Sequence, residues 1–246
     1  MKIGIHFLLG WIAIGFGMTG CGFDATSTST SSTENSETQL GSVANGSFET
    51  CDFTDWQTIG DVSIQQDIFD SSPSDGECQV LLSNRPDPLS DTDPFSDEEA
   101  VTITQLTAFL GISTSALDSL LDQPPAGEGS AIRTSFQASD GQALSLDWNF
   151  LTMELEQNQV ADDSIFITIS PLFSSPQKLA GVIDYSSVFE ESDSVFARAT
   201  GFVRYTSPPL EEGTYILGVG IVDGGIATGS DQNVDSAVLV DRIQLE

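Results

Sequence analysis

Positive charge is what this chain has least of: seven Lys and Arg stand against 37 Asp and Glu, a formal net charge of −30 over 246 residues. A field of that sign repels phosphate, which excludes nucleic acid as a partner and an electrostatic hold on anionic lipid. Histidine is scarcer still. The one His is His6, inside the leader, so the remainder of the chain has no imidazole for a Ser-His-Asp arrangement or for a metal. Three Cys are too few for a soft-metal cluster. Rings that could stack on a flat ligand are few, with three Trp and three Tyr. The sequence has no GxSxG elbow, HExxH helix, phosphate-cradling glycine loop or nucleophilic Cys pattern. Acids are abundant enough that a two-carboxylate glycosidase stays open as the least favoured function; the chain is expected not to be an enzyme.

The start of the chain is an export signal by pattern. Lys2 and the apolar run 3–16 form a charged head and a hydrophobic stretch too short to cross a bilayer. The run closes on Met18-Thr19-Gly20-Cys21, which resembles the bacterial lipobox with Met18 where Leu is usual. That resemblance implies cleavage before Cys21 and acylation of it by palmitate-like chains, which would anchor the chain to a bacterial membrane. Gly22 after the Cys favours the outer membrane or cell surface over the inner membrane. Residues 21–40 are rich in Ser and Thr with little to bury, so they read as a disordered tether. The expected organisation is a signal peptide over 1–20, a tether over 21–40 and one domain over 41–246.

The domain reads as all-β. With 22 Gly and 15 Phe, and β-branched residues spread evenly, it suits two sheets joined by many turns. An opening strand is expected over 43–50, a turn over 53–56 and strands over 61–64 and 78–83. Cys51 and Cys78 are an isolated pair in an exported chain, so a disulfide is expected, closing a loop worth about 3 to 4 kcal/mol. Residues 84–99 form an acidic, Pro-interrupted loop. Asp91-Thr92-Asp93 has the spacing of an EF-hand start, but Phe95-Ser96 and the missing Glu at the twelfth position exclude that motif.

Over 101–121 the period changes. Ile103, Leu106, Phe109 and Leu110 share a helical face, Gly111 is a stop, and Ser113 or Thr114 can cap a second short helix through Leu117, Leu120 and Leu121. Alternation returns over 132–137 and 144–150 and continues over 164–170, 179–185, 194–205 and 214–222. It closes over 235–245, a strand expected to pair beside the opening one. The expected fold is a jelly-roll β-sandwich of nine or ten strands with a short helical insertion around 102–122.

Asn45-Gly46-Ser47-Phe48-Glu49, Asp52-Phe53-Thr54-Asp55-Trp56 and the closing segment 235–243 resemble the galactose-binding-like jelly rolls of secreted bacterial proteins and carbohydrate-binding modules. Leu146-Asp147-Trp148-Asn149-Phe150-Leu151-Thr152 is similar to surface proteins of the PEP-CTERM type. The resemblance implies a lectin-like, non-catalytic module for envelope or extracellular glycan; the alternative is a structural or adhesion protein of the envelope with a protein partner. It also implies a structural Ca2+ held by Glu49 and Asp241, joined by carbonyls near Asn45 or Gly46. Trp56 and Trp148 read as core, which leaves Tyr185, Tyr205 and Tyr215 as the rings for a sugar, and no ligand-binding residue is singled out.

Overall fold

The computed structural model describes residues 42–84, 98–121, 127–153, 163–172, 178–183, 189–192, 194–223 and 236–246. The chain divides into two units, Met1–Glu37 and Thr38–Glu246, and the fold below belongs to the second. Cys21, the tether to residue 40, the acidic stretch 85–97, Pro124-Pro125 and Tyr185 lie outside the described residues.

The domain is a β-sandwich of two antiparallel sheets. In chain order the strands are β1 (Gln57–Ile59), β2 (Val62–Gln65), β3 (Gln79–Ser83), β4 (Val101–Thr102), β5 (Glu128–Ala138), β6 (Leu144–Thr152) and β7 (Ser164–Pro171). They continue as β8 (Lys178–Ile183), β9 (Glu190–Glu191), β10 (Arg198–Ala199), β11 (Val203–Thr206), β12 (Gly213–Val222) and β13 (Ser236–Leu245). The first sheet runs β1-β5-β12-β7-β8 with β4 beside β5; the second runs β2-β3-β13-β6-β10-β9 with β11 also on β6. Alternation sets the core. Ile132, Phe136, Ile165, Ile167, Leu217 and Val219 of the first sheet meet Val80, Leu82, Leu146, Trp148, Phe150 and Val240 of the second.

Helices α1 (Ile103–Leu110) and α2 (Thr114–Leu121) cover the outer face of the first sheet, as the changed period predicts. Leu106, Leu110 and Leu117 pack on Ala131, Phe166 and Val222. The sheet makes room with glycine: a Cβ on Gly220 would stand 2.4 Å from the Phe166 ring, and one on Gly218 2.5 Å from Leu110 Cδ2. Gly111 ends α1 in the left-handed region (φ 71°), and Ser113 Oγ accepts from the Ala116 amide at 3.1 Å to start α2. Arg133 donates to the Phe109 carbonyl and lies 4.5 Å over the Phe109 ring, closing the last turn of α1.

Three expectations are corrected. Residues 43–50 form turns, not an opening strand: Asn45 (φ 46°) and Phe48 (φ 54°) take left-handed conformations that no strand admits. Turning this way seats Phe48 in the core, 5.2 Å from the ring of Trp56. The closing strand therefore has no opening strand beside it; β13 lies between β3 and β6, and the first segment touches it through Ile243 N donating to Gly46 O at 2.8 Å. A Cβ on Gly46 would stand 2.0 Å from that Ile243 carbonyl oxygen, so only glycine fits. The expected strand over 194–205 is two short ones, β10 and β11, parted at Gly201 (φ 64°).

Candidate functional site

The outer face of the second sheet has an apolar half and a polar half. The apolar half comprises Leu81, Leu151, Ala237 and Leu239, with Phe196 buried among them and Ile68, Phe69 and Phe202 packed on top. The polar half is a row across adjacent strands. Asp241 of β13 stands opposite Asp147 of β6, and Asp147 stands opposite Arg204 of β11. Gln79 of β3 is one step beyond the Val80–Val240 pair, level with Asp241, and Asn149 lies two residues from Asp147 on the same face. Because Val240 and Trp148 point into the core, their neighbours Asp241, Asp147 and Asn149 must point out.

At one end the row is open. Arg204 donates from Nε to Asp147 Oδ1 at 2.8 Å and from Nη2 to Oδ2 at 3.3 Å, and from Nη1 to Glu246 Oε1 at 3.2 Å. Glu246 Oε1 also accepts from Ser145 Oγ at 2.8 Å and from Gln244 Nε2 at 3.2 Å. The side chains of Arg204 and Glu246 are 35% and 44% exposed, against 10% for Asp147. The Ser145 hydroxyl, then the Gln244 amide, hold the Glu246 carboxyl below its ordinary value. The Asp147 hydrogen bond raises the Arg204 guanidinium. The result is a fixed array of planar donors and acceptors, one guanidinium between two carboxylates, of the kind that hydrogen-bonds neighbouring hydroxyl groups.

At the other end the row is covered by a strap, residues 66–78. Asn149 Nδ2 donates to Ser71 Oγ at 2.8 Å, and Gln79 Nε2 to the carbonyls of Gln66 at 2.7 Å and Ser71 at 3.2 Å. Asp241 Oδ2 accepts from the Asp75 amide at 2.8 Å and from Ser74 Oγ at 3.2 Å, and Oδ1 from the Arg242 amide at 2.6 Å. Asp241 has no exposed surface. Its burial pushes the carboxyl up to about 6, and the amide and hydroxyl donors offset only part of the shift. A buried polar group left without such partners costs about 1 to 3 kcal/mol. The strap's tip is a tight hairpin: Ile68 and Ser71 exchange hydrogen bonds of 2.9 and 2.8 Å, with Phe69 (φ 50°) and Asp70 (φ 58°) both left-handed.

The foot of the strap is fixed. Cys51 and Cys78 form a disulfide (Cα–Cα 5.5 Å). Glu49 lays its carboxylate on the turn, accepting from the amides of Glu77 at 3.0 Å and Cys78 at 3.3 Å, an anion nest. Gly76 (φ 69°) permits it, since a Cβ there would stand 2.0 Å from the Glu49 carboxyl carbon. Glu49 and Asp241 thus attach to the same turn, 74–78. Their chemistry suits a hard cation, but calcium takes about six to eight oxygens, and here those carboxylates already accept N–H groups. The Asn45 carbonyl accepts from Phe48 N at 3.2 Å and Trp56 Nε1 at 3.1 Å, and the Gly46 carbonyl from Ile243 N. Among the described residues no group of three or more His, Cys, Asp and Glu converges as a metal site.

The other candidates are placed as follows. Trp56, Trp148 and Tyr215 are buried, and Tyr205 is half-buried against the core. Among the described residues no aromatic ring is exposed. Asp147 and Asp241 are the opposed pair a two-carboxylate hydrolase would need, but Asp241 is sealed beneath the strap and Asp147 is held by Arg204.

No protein-family model matches the chain, and no curated protein does. Solved structures of similar fold include TmCBM61 in complex with β-1,4-galactotriose (11% identity, TM-score 0.42, covering 83% of this chain and 96% of that one). Another comes from work on the promiscuous specificity of carbohydrate-binding modules of the β-sandwich superfamily (10%, 0.42, 85% and 63%). The enzymatically active domain of bacteriophage CBA120 tailspike protein 4 is a third (10%, 0.39, 84% and 21%). Likeness at this level concerns the fold and carries neither ligand nor activity to this chain.

Proposed function

We propose that the chain is a non-catalytic, lectin-like module, exported and held to a bacterial membrane by lipid on Cys21, which binds an envelope or extracellular glycan on the outer face of its second sheet. The observation that carries this is the open end of the polar row. Sugar hydroxyls both donate and accept, and Arg204, Glu246 and Gln244 present donors and acceptors held in place by one another and by the buried Ser145 hydroxyl. With no exposed ring among the described residues, recognition is by hydroxyl edges, not by stacking on a sugar face. The likeness of Asn45–Glu49 and the closing segment to galactose-binding-like jelly rolls, and of residues 146–152 to PEP-CTERM-type surface proteins, points the same way.

The disulfide supports export, since such bonds persist in oxidising compartments. The lipobox-like Met18-Thr19-Gly20-Cys21, with Gly22 after it, supports an anchor in the outer membrane or at the cell surface. Calcium belongs to the proposal as a stabiliser at Glu49 and Asp241, where it would take the place of the N–H and O–H donors that the two carboxylates now hold.

A glycan array probed with the Cys21→Ser chain tests the function. Binding that is lost in Arg204→Ala and Glu246→Gln supports it. Silence across sugars, with envelope proteins retained in a pull-down, would replace it by the structural or adhesion role.

A further inference from the structure

We infer that the strap over residues 66–75 is an internal stand-in for ligand, covering the second half of a binding face that a neutral polyol, such as the hydroxyl groups of a glycan, occupies when the strap is displaced. This rests on the glycan reading above and extends it from the open end of the row to the covered one.

The covered residues have a chemistry that suits hydroxyl groups as well as it suits the strap. Gln79 and Asp241 have no exposed surface and Asn149 is 1% exposed, yet they are amides and an acid. The apolar half beside them packs Ile68 and Phe69 without such groups, so covering this face does not by itself require polar side chains at all three positions. What the strap offers them is two hydroxyls, one amide and two carbonyls: Ser71 Oγ to Asn149, Ser74 Oγ and the Asp75 N–H to Asp241, and the Gln66 and Ser71 carbonyls to Gln79. Sugar hydroxyls can take each of those places, donating to the acid and accepting from the amides.

The match is incomplete, and the gap is an acceptor. Gln79 Oε1 is buried with no hydrogen-bond partner, so a hydroxyl donor arriving there would gain a bond that the strap does not make. The strap's covalent and charged ties lie at one end only. Phe69 and Asp70 hold left-handed backbone, whereas the disulfide and Glu49 fix only the foot at 77–78. Asp147, standing between Asp241 and Arg204, joins the covered end to the open one in a single row.

The test compares the intact chain with a strap-released variant, Ser71→Ala with Ser74→Ala, using neutral hexose oligosaccharides as probes. Phe69→Ser serves as a second release should the first fail to fold. Amide hydrogen exchange over 66–75 confirms release in either. The expected result is binding tightened by about tenfold on release, since a face available a tenth of the time weakens apparent affinity by that factor. Exchange over 66–75 in the intact chain should rise when sugar binds, and Asn149→Ala should cancel the gain. Equal affinity in both chains, with exchange over 66–75 unchanged by sugar, overturns the strap while leaving the glycan site standing. Failure of both chains to bind any probe, with the strap shown open, overturns the glycan reading and this inference together.

Discussion

The two outer faces of this sandwich are both covered, by opposite chemistry. Over the first sheet, α1 and α2 bury leucines against Ala131, Phe166 and Val222, with glycines in the sheet cut to receive them. Over the second, the strap lies half on leucines and half on Gln79, Asn149 and Asp241, held there by hydrogen bonds. Apolar cover is driven by removal from water and has no equal competitor in solution. Polar cover exchanges one set of hydrogen bonds for another, so its net hold is small and any hydroxyl-bearing ligand competes with it. The first face is architecture; the second is the face to which we assign the ligand.

The largest effect should come from breaking the apolar cover. Leu106→Ala, at a side chain with no exposed surface, should cost about 2 to 5 kcal/mol in denaturant unfolding. Asn149→Leu, on the polar side, should cost less than half as much. Similar losses at the two sites would erase the distinction.

Next is the foot of the strap. Cys51→Ser with Cys78→Ser opens a loop with a sequence separation of 27 and should lower stability by about 3.5 kcal/mol on the chain-entropy estimate. Mass mapping without reductant should find the cross-linked peptide in the wild type; two alkylatable thiols in the folded, exported protein would contradict the bond.

Asp241 gives a pH signature of similar size. Its folded value, pushed up from 3.8 to about 6 by burial, means that the folded state binds the proton more tightly than the unfolded one. Its stabilising contribution is therefore complete below the unfolded value and is lost as pH rises through about 6. In the presence of chelator, wild type measured against Asp241→Asn should gain about 3 kcal/mol on going from pH 7 to below pH 4. Glu246 and Asp52, both lowered by their hydrogen bonds, act in the opposite sense, and the difference between the two proteins removes them. A pH-independent difference would contradict the buried, uncompensated charge.

The smallest effect expected is from calcium. With two carboxylates and an incomplete shell, calcium at about ten times its Kd should add about 1.4 kcal/mol, read as a rise in Tm over matched Mg2+ that Glu49→Gln abolishes. Equal response to both ions would be screening of an acidic chain.

The contrast between the faces was half legible in the sequence. Alternation in β5 and β6 gave the inward residues correctly, and the change of period at Ile103, Leu106 and Leu110, with Gly111 as stop, gave the helical cover. Asn45-Gly46 is a turn dipeptide, and that local signal outweighed the strand-like pattern of 43–50 once Phe48 had a core to enter. The polar row was visible as the outward set Ser145, Asp147 and Asn149, but its burial was not. It depends on the strap's Ser and Gln residues returning over β3 and β13, a tertiary contact with no periodicity of its own. Arg204 could have been suspected from scarcity alone, being one of seven basic residues in the chain.

The most direct test of the central claim is to map, by backbone amide chemical shifts, where the tightest neutral oligosaccharide from the array binds. The account predicts saturable shifts at Ser145, Arg204 and Gln244, extending along β6 and β13 toward Asn149 and Asp241. Saturable shifts confined to the helical face or to the turns at 43–56, with that row silent, would contradict it.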